Sequence, residues 1–174
     1  TTMEGLERLE GHLFNWYDTL TLAPLPPRYV STVDSGNLAG ALMVVAEGLR
    51  QLGREPPPRE AGPSDACERL ASLSRRAAAF AEGMSFQFLY DPQRSLLAIG
   101  YRAADAEGPG RLDPTHYDLL ASEARLASFI AIAKGDLPEK HWFHLGRAVT
   151  SVRGSPALLS WSATMFEYLM PLLV

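Results

Sequence analysis

The segment from Tyr117 to Ala133 constrains the fold most, because it is apolar on almost every side of a helix. A helix with this pattern belongs in a protein interior rather than on a surface. Asp113 followed by Pro114 predicts its start, since an N-cap residue and a proline at the first helical position are typical of helix N-termini. We therefore predict a buried helix that runs from there to about Lys134-Gly135.

Two charged residues, Glu123 and Arg125, interrupt this apolar segment. Burying a charge costs free energy unless the charge is paired or used, so each of them needs a partner or a chemical role. No opposite charge lies three or four residues from either one, and a partner would have to come from another element. Two interpretations of Glu123 stay open at this point: a structural ion pair, and a carboxylate that takes part in chemistry.

Two further helices are predicted before this one. The first covers about the first twenty residues, because its large apolar side chains recur at steps of three and four: they are Leu6, Leu9, Leu13, Trp16 and Leu20. Three prolines between residues 24 and 27 end it. The second helix begins near residues 35–37 and ends at Gly53, and the two are predicted to form an antiparallel pair.

The remaining segments add one more long helix and short elements. Residues 55–63 are rich in proline and charge, which predicts an exposed linker, and a third helix follows from Ser64 or Asp65 to Gly83. Alternating apolar residues predict two β-hairpins, over residues 86–101 and 149–161. A short helix over 139–145 and a terminal helix complete a fold that is predicted to be mainly α, with two small β-hairpins.

Composition excludes several classes of function. The 174 residues are 47% hydrophobic with a net charge of −4, and the basic residues are scattered, so neither nucleic acid nor an anionic membrane is predicted as a partner. The longest apolar run, over 126–133, is too short for membrane insertion. No nucleotide-binding motif is present, and the spacing of His141 and His144 does not favour a metal site. We therefore predict no metal and no cofactor in this chain.

Other polar residues lie where a sugar could bind. Glu167 is a second carboxylate among large apolar groups, and two carboxylates in one cleft can divide the roles of acid and of base or nucleophile at a glycosidic bond. Asp34 and Asn37 belong to a polar stretch at the start of the second helix. Either they cap that helix, or they donate to and accept from sugar hydroxyls. Aromatic residues beside polar ones suit pyranose stacking, but each could equally lie in a core.

Several long strings together resemble the cyclic β-1,2-glucan synthases. They are residues 12–19 (HLFNWYDT), 24–38 (PLPPRYVSTVDSGNL), 117–135, 141–147 and 160–173. The resemblance implies a very large parent protein of the bacterial inner membrane, with glycosyltransferase and transglycosylase activities. In such a protein another domain uses UDP-glucose, and a middle, glycoside-hydrolase-like domain cyclises the glucan. The strings match that middle domain, which implies a portion of an (α/α)6 toroid on the cytoplasmic side.

The same resemblance implies roles for individual residues. Glu123, in the string Ser122-Glu123-Ala124-Arg125, is implied to be the catalytic carboxylate. The implied partners are a β-1,2-glucan chain and the remaining domains of the synthase. The implied substrate-binding residues are Trp16, Tyr17, Asp18, Asp34, Asn37, Arg125, Trp142, Trp161, Glu167 and Tyr168.

The chain also departs from the family pattern. A full toroid needs about twelve helices, and this length allows about six. The apolar segment 165–174 lacks a polar tail, which predicts that the chain continues, and a second catalytic carboxylate is expected beyond it. We therefore predict one partial domain over residues 1–174, soluble by itself and inactive alone. The alternative is a non-catalytic carbohydrate-binding or scaffolding module, and an uncovered apolar face would favour a homo-oligomer.

Overall fold

The structure, a computed structural model, describes residues 2–54, 63–106 and 108–173. Within these ranges, six α-helices and ten short strands in four sheets make the chain about 42% helical and 21% strand. The helices are α1 (Thr2–Gly5), α2 (Thr32–Leu52), α3 (Pro63–Glu82), α4 (Arg125–Ala133), α5 (Lys140–His144) and α6 (Met165–Leu169). The strands are β1 (Arg8–Leu9), β2 (His12–Leu13), β3 (Tyr29–Ser31), β4 (Tyr90–Asp91), β5 (Leu96–Ala98), β6 (Gly100–Arg102), β7 (Arg111–Leu112), β8 (His116–Tyr117), β9 (Val149–Val152) and β10 (Ser155–Leu158).

The prediction of a mainly α portion of an (α/α)6 toroid is wrong, because two three-stranded antiparallel sheets lie beside the helices. One sheet has the order β3-β6-β7 and the other β4-β5-β8. The apolar run from Leu97 to Tyr101 was expected to be one strand of a hairpin. It breaks at Ile99, so its first part pairs with Tyr117 and its second part with Val30. One alternating run thus supplies a strand to each of two sheets. The local periodicity of the sequence does not show that the run is divided in this way.

The predicted first helix is also wrong, because β1 and β2 form a tight hairpin there. Leu9 pairs with His12, and the two residues between them, Glu10 and Gly11, have φ values of 49° and 85°. Two successive left-handed residues make a hairpin turn and cannot lie inside a right-handed helix. The expected pairing of this segment with α2 is therefore absent from the described residues, and α2 packs instead against α3 and α4.

The second helix is confirmed, although it starts earlier than predicted. The Ser31 hydroxyl accepts a hydrogen bond from the backbone N–H of Asp34 at 3.2 Å and caps α2 at Thr32. Gly53 ends the helix as predicted. The third helix and the short helix α5 are confirmed too. Residues 55–62 of the predicted linker lie outside the described residues, as do the side chains of Ser64 and Asp65.

The helix predicted from Asp113-Pro114 to about Lys134-Gly135 is much shorter in the structure. The Asp113 carboxylate accepts from the backbone N–H of Thr115 at 2.9 Å and makes a local turn instead of a helix cap. The chain then enters β8, and α4 begins only at Arg125. The Ser122 hydroxyl accepts from the N–H of Ala124 at 3.1 Å in the turn before α4. Glu123 therefore lies in a turn at a helix start, not on the face of a long buried helix.

The two predicted hairpins have different outcomes. In the first, Gln87–Leu89 forms a 3-10 turn, and only Tyr90–Asp91 pairs with β5. The second hairpin is present, since β9 and β10 pair antiparallel, but its turn is formed by Arg153 and Gly154, with φ values of 51° and 83°. Its second strand is therefore Ser155–Leu158 and not residues 158–161 as predicted.

The core lies between α2, α3, α4 and the sheets. Its buried members are Ala39, Phe80, Met84, Phe86, Leu89, Leu97, Ala127, Ile130, Ala131 and Leu137. The helices α2 and α4 approach each other closely at Gly36, where an added Cβ would lie 2.4 Å from the Cβ of Ala127. Among the described residues, none of the helices combines the length and apolar character needed to cross a bilayer.

Candidate functional site

A cleft lies between the turn before α4 and the loop before α6. Its volume is about 220 Å³. Its walls carry two carboxylates, three serine or threonine hydroxyl groups and two aromatic rings among eight residues: Ile99, Tyr117, Ser122, Glu123, Trp161, Ser162, Thr164 and Glu167. The structure therefore brings together three residues that the sequence singled out, namely Glu123, Trp161 and Glu167.

Glu123 is half-buried in this cleft. Burial raises the pKa of its carboxyl group, and the negative charges of Glu167 and Asp34 raise it further. In the part of the chain that the structure describes, the Glu123 side chain makes neither a hydrogen bond nor an ion pair, so the ion-pair interpretation finds no support there. A raised pKa favours the protonated form, and a carboxyl group without a hydrogen-bond partner among the described residues is open to a bound molecule.

Glu167 is in a very different position, although it lines the same cleft. It is only 9% exposed, and its carboxylate accepts five hydrogen bonds from residues just before it. Ser162 donates its N–H to both oxygens, at 3.1 and 3.2 Å. Oε2 also accepts from the Ser160 hydroxyl at 3.1 Å, and from the N–H and hydroxyl of Thr164, each at 3.0 Å.

These hydrogen bonds set the charge of Glu167. Burial works to raise the pKa of its carboxyl group, but the hydrogen bonds from Thr164, Ser162 and Ser160 outweigh burial and hold the pKa below its usual value. Glu123 and Glu167 are thus a carboxyl pair whose pKa values are displaced in opposite directions. Such a difference is a feature of acid and base pairs, but here the carboxylate with the lowered pKa is occupied by its own loop.

Trp161 forms the aromatic wall of the cleft. Its ring stacks on Tyr117 with the centroids 5.3 Å apart and the planes at 20°. Its indole Nε1 donates a 2.7 Å hydrogen bond to Asp118 Oδ1. Burial first, and then the charge of Glu123, raise the pKa of the Tyr117 phenol, which therefore stays protonated. Trp161 itself is 45% exposed, which leaves part of its indole open to a ligand.

Arg125 and Tyr168 connect the two walls of this region. The Arg125 guanidinium donates to the carbonyl of Tyr168 at 3.4 Å, which links the start of α4 to α6. The Tyr168 hydroxyl donates to the carbonyl of Leu158 at 2.5 Å. Both residues were predicted to bind substrate, and their polar groups here contact the protein itself.

Asp34 and Trp16 line a separate groove of about 380 Å³, between β2 and the start of α2. The Asp34 side chain is exposed, and Trp16 is 50% exposed. Asn37 lies one turn further along α2, and its Oδ1 is buried without a hydrogen-bond partner in the described residues. The negative charge of Asp34 in this groove acts on the cleft, because it contributes to the raised pKa of Glu123.

The other predicted binding residues lie apart from the cleft or serve local structure. The Tyr17 hydroxyl donates to the carbonyl of Glu7 and accepts from the N–H of Phe14. Asp18 Oδ1 accepts from Leu20 and Thr21 in a turn. Trp142 lines an apolar cavity of about 410 Å³ between α4 and α5. None of these three lines the cleft that contains Glu123.

The sequence prediction missed Tyr117, Asp118 and Thr164 as parts of the site. Tyr117 and Asp118 had been assigned to the long helix, where the stack with Trp161 could not be foreseen. Thr164 had a local signal, because Thr-x-x-Glu before an apolar segment is the pattern of a capping box. That box is present, with the Thr164 side chain accepting from the N–H of Glu167 and the Glu167 side chain accepting from Thr164.

The predicted resemblance is confirmed by comparison with known proteins. No family model matches the chain. It is 33% identical over 284 residues to the cyclic β-(1,2)-glucan synthase NdvB of Rhizobium meliloti (strain 1021), across 99% of this chain and 10% of that protein. The chain thus spans about a tenth of the length of its relative. Because it has 174 residues, at least 110 of the 284 aligned positions (284 − 174) have no counterpart here.

Proposed function

We propose that this chain, which is homologous to one tenth of a cyclic β-(1,2)-glucan synthase, is a piece of the domain that cyclises β-1,2-glucan by transglycosylation. In that domain Glu123 is the carboxyl group that reacts at the glycosidic bond. The chain by itself does not catalyse cyclisation. UDP-glucose is used elsewhere in such a synthase, and the segment works on the cytoplasmic side of the inner membrane together with the remaining domains.

The observation that carries this proposal is the state of Glu123. Its carboxyl group lies in a cleft, has a raised pKa and makes no hydrogen bond among the described residues, and the Trp161 ring lines the same cleft. Glycoside chemistry needs an acid that still holds its proton near neutral pH to protonate the leaving oxygen. Burial and two neighbouring negative charges shift the pKa of Glu123 in that direction.

The proposed inactivity of the isolated chain follows from the second carboxylate. A transglycosylase of this chemistry uses two carboxyl groups on either side of the glycosidic bond. Glu167 lines the cleft, but both its oxygens accept hydrogen bonds from its own loop. Asp34 lies in the adjacent groove. We therefore assign the partner carboxylate to residues outside this chain. The aligned positions of the relative that have no counterpart here are candidates for it.

The test uses the intact synthase of Rhizobium meliloti. The residue that aligns with Glu123 is changed to glutamine, and linear and cyclic β-1,2-glucans are separated by mass spectrometry. We expect cyclic products to be lost while linear glucan accumulates, because glutamine cannot transfer a proton. The matched control changes the residue that aligns with Glu68, which is exposed on α3, to glutamine. Unchanged cyclisation in the first variant would remove Glu123 from the mechanism.

A non-catalytic carbohydrate-binding or scaffolding module is the second candidate, and the occupied carboxylate of Glu167 favours it. A cleft with one open carboxyl group and an aromatic wall can hold a sugar without cleaving it. Calorimetric titration of the chain with linear β-1,2-glucan tests binding, and mass spectrometry of the same sample tests turnover. Binding by the chain, combined with full cyclisation in the synthase variant, would support the module. The absence of any binding would point to a protein-interaction segment instead.

A further inference from the structure

We propose that Glu167 is a positioning residue that holds Trp161 as a stacking surface for a pyranose ring. It does so by gathering the loop 160–164 around its carboxylate. The identity of the ligand as a glucan rests on the proposed function, whereas the arrangement of the loop does not. Glu167 on this assignment neither touches the sugar nor transfers a proton.

The hydrogen bonds of the loop converge on one carboxylate from both sides of Trp161. Ser160 donates to Glu167 from before the tryptophan, while Ser162 and Thr164 donate from after it. The Ser160 hydroxyl also accepts from the N–H of Ala163 at 2.9 Å, which closes the loop on itself. A loop held in this way fixes the position of its one large side chain, Trp161, which lines the cleft.

Ala163 shows that this loop conformation is imposed by its contacts. Its φ of 53° lies in the left-handed region, which a residue with a Cβ adopts only at a cost of about 1 kcal/mol or more. The surrounding hydrogen bonds must offset that cost. The N–H of Ala163 itself donates to the Ser160 hydroxyl, and its neighbours Ser162 and Thr164 donate to Glu167. The buried carboxylate is therefore accounted for by the geometry of the loop, without a role in bond breaking.

Trp161 is held on two further sides. Asp118 accepts its indole N–H at 2.7 Å, and Tyr117 covers one side of its ring. Although one side of its ring is stacked on Tyr117, Trp161 keeps 45% of its surface exposed. A fixed aromatic surface gives up little side-chain entropy when a ligand stacks on it. Glu123 lines the same cleft, so a ring stacked on Trp161 would lie beside the proposed acid.

The first experiment follows Trp161 without any sugar. The chain has three tryptophans, and Trp16→Phe with Trp142→Phe leaves Trp161 as the only one. Adding Glu167→Gln should shift its emission to longer wavelength and lower its anisotropy, because an amide cannot accept five hydrogen bonds. The matched control is Glu68→Gln on α3. Ser160→Ala, which removes two of the loop's hydrogen bonds, is the milder variant if Glu167→Gln does not fold.

The second experiment measures the affinity for linear β-1,2-glucan by calorimetry. We expect Trp161→Ala and Glu167→Gln each to weaken binding about tenfold, and the double variant to be no weaker than Trp161→Ala alone, because Glu167 acts through Trp161. Additive losses, or unchanged Trp161 emission in both loop variants, would overturn the proposal. If the unmodified chain binds no glucan, the proposed function fails, and the emission measurement still decides whether Glu167 positions Trp161.

Discussion

Side chains of the core between α2, α3, α4 and the sheets are held by apolar burial, whereas the loop 160–164 and the start of α6 are held mainly by hydrogen bonds. In the first region, Phe86 and Leu97 have no accessible surface. In the second, Met165 and Phe166 are 70% and 54% exposed, while the carboxylate of Glu167 accepts five hydrogen bonds. The cleft lies at the boundary, with Glu123 supplied by the first region and Trp161 by the second.

This difference bears on how the cleft can work. A packed core resists displacement because its atoms are in close contact on all sides. A loop held by hydrogen bonds depends on a few polar atoms, and losing one of them changes its shape. The acid is thus supplied by the rigid part of the chain and the stacking surface by the part more easily altered. The second region also exposes apolar side chains. The partners predicted from the sequence, the other synthase domains or a second copy of this chain, would cover them.

The largest effect on the free energy of unfolding is expected from a large-to-small substitution in the core. Phe86→Ala removes a fully buried ring, and we expect a loss of about 3–5 kcal/mol in the free energy of unfolding. Phe166→Ala is the matched change in the second region, where we expect a change within about 0.5 kcal/mol. Chemical denaturation of both variants measures the two values. Similar losses in both would show that the two regions do not differ in the way described here.

The next effect concerns acid. His12 is fully buried beside Phe86, and burial, helped by the charge of Lys134, lowers its pKa to about 4 despite the hydrogen bond to the carbonyl of Ser85. The His12 imidazole takes up a proton near pH 6.5 in the unfolded chain, but only near pH 4 in the folded chain. The contribution of neutral His12 to stability is therefore fully present above pH 6.5. It is lost as pH falls towards 4, by about 3 kcal/mol from this residue.

Denaturation curves between pH 7.5 and 4.5 test this expectation. His12→Phe should be less stable than the unchanged chain at pH 7.5, but its stability should fall less as the solution is acidified. His141 also has a pKa lowered by burial, so some acid sensitivity should remain in the variant. An equal loss of stability in both proteins would contradict the assignment to His12.

A smaller effect is expected where α2 and α4 touch. Gly36→Ala would bring a Cβ to 2.4 Å from the Cβ and 2.6 Å from the Cα of Ala127, so the helices must separate. We expect a loss of about 1–3 kcal/mol. Gly48→Ala is the control on the same helix, because nothing lies within 4 Å of its added Cβ, and it should gain about 0.5–1 kcal/mol. A gain in both variants would show that the close approach is not limiting.

Local signals predicted the parts of the fold that depend on neighbouring residues. The hairpin of β9 and β10 is an example, since its left-handed turn at Arg153 and Gly154 is determined by turn chemistry within a few positions. The helix prediction for the first twenty residues is wrong because leucines at helical spacing are also compatible with a hairpin. The left-handed turn at Glu10 and Gly11 decides between the two.

The candidate site was predictable only in part, for the same reason. Glu123 and Glu167 stood out as carboxylates in apolar surroundings, and the structure places both in one cleft. Their different roles depend on partners. Those of Glu167 are local, within the Thr164 capping box, and could have been recognised. The stack of Trp161 on Tyr117 joins residues far apart in the chain, and no local pattern encodes it.

The smallest effect separates local order from global stability in the second region. Thr164→Ala removes the hydroxyl that accepts from the N–H of Glu167 at 3.3 Å and donates to its Oε2 at 3.0 Å. We expect a loss of about 1 kcal/mol, typical of a helix cap, together with a clear change in Trp161 emission. Thr164→Ser keeps the hydroxyl and should restore both values. A loss of stability with unchanged emission would mean that the cap holds α6 but not the loop, and that the hydrogen bonds of Ser160 and Ser162 position Trp161 without it.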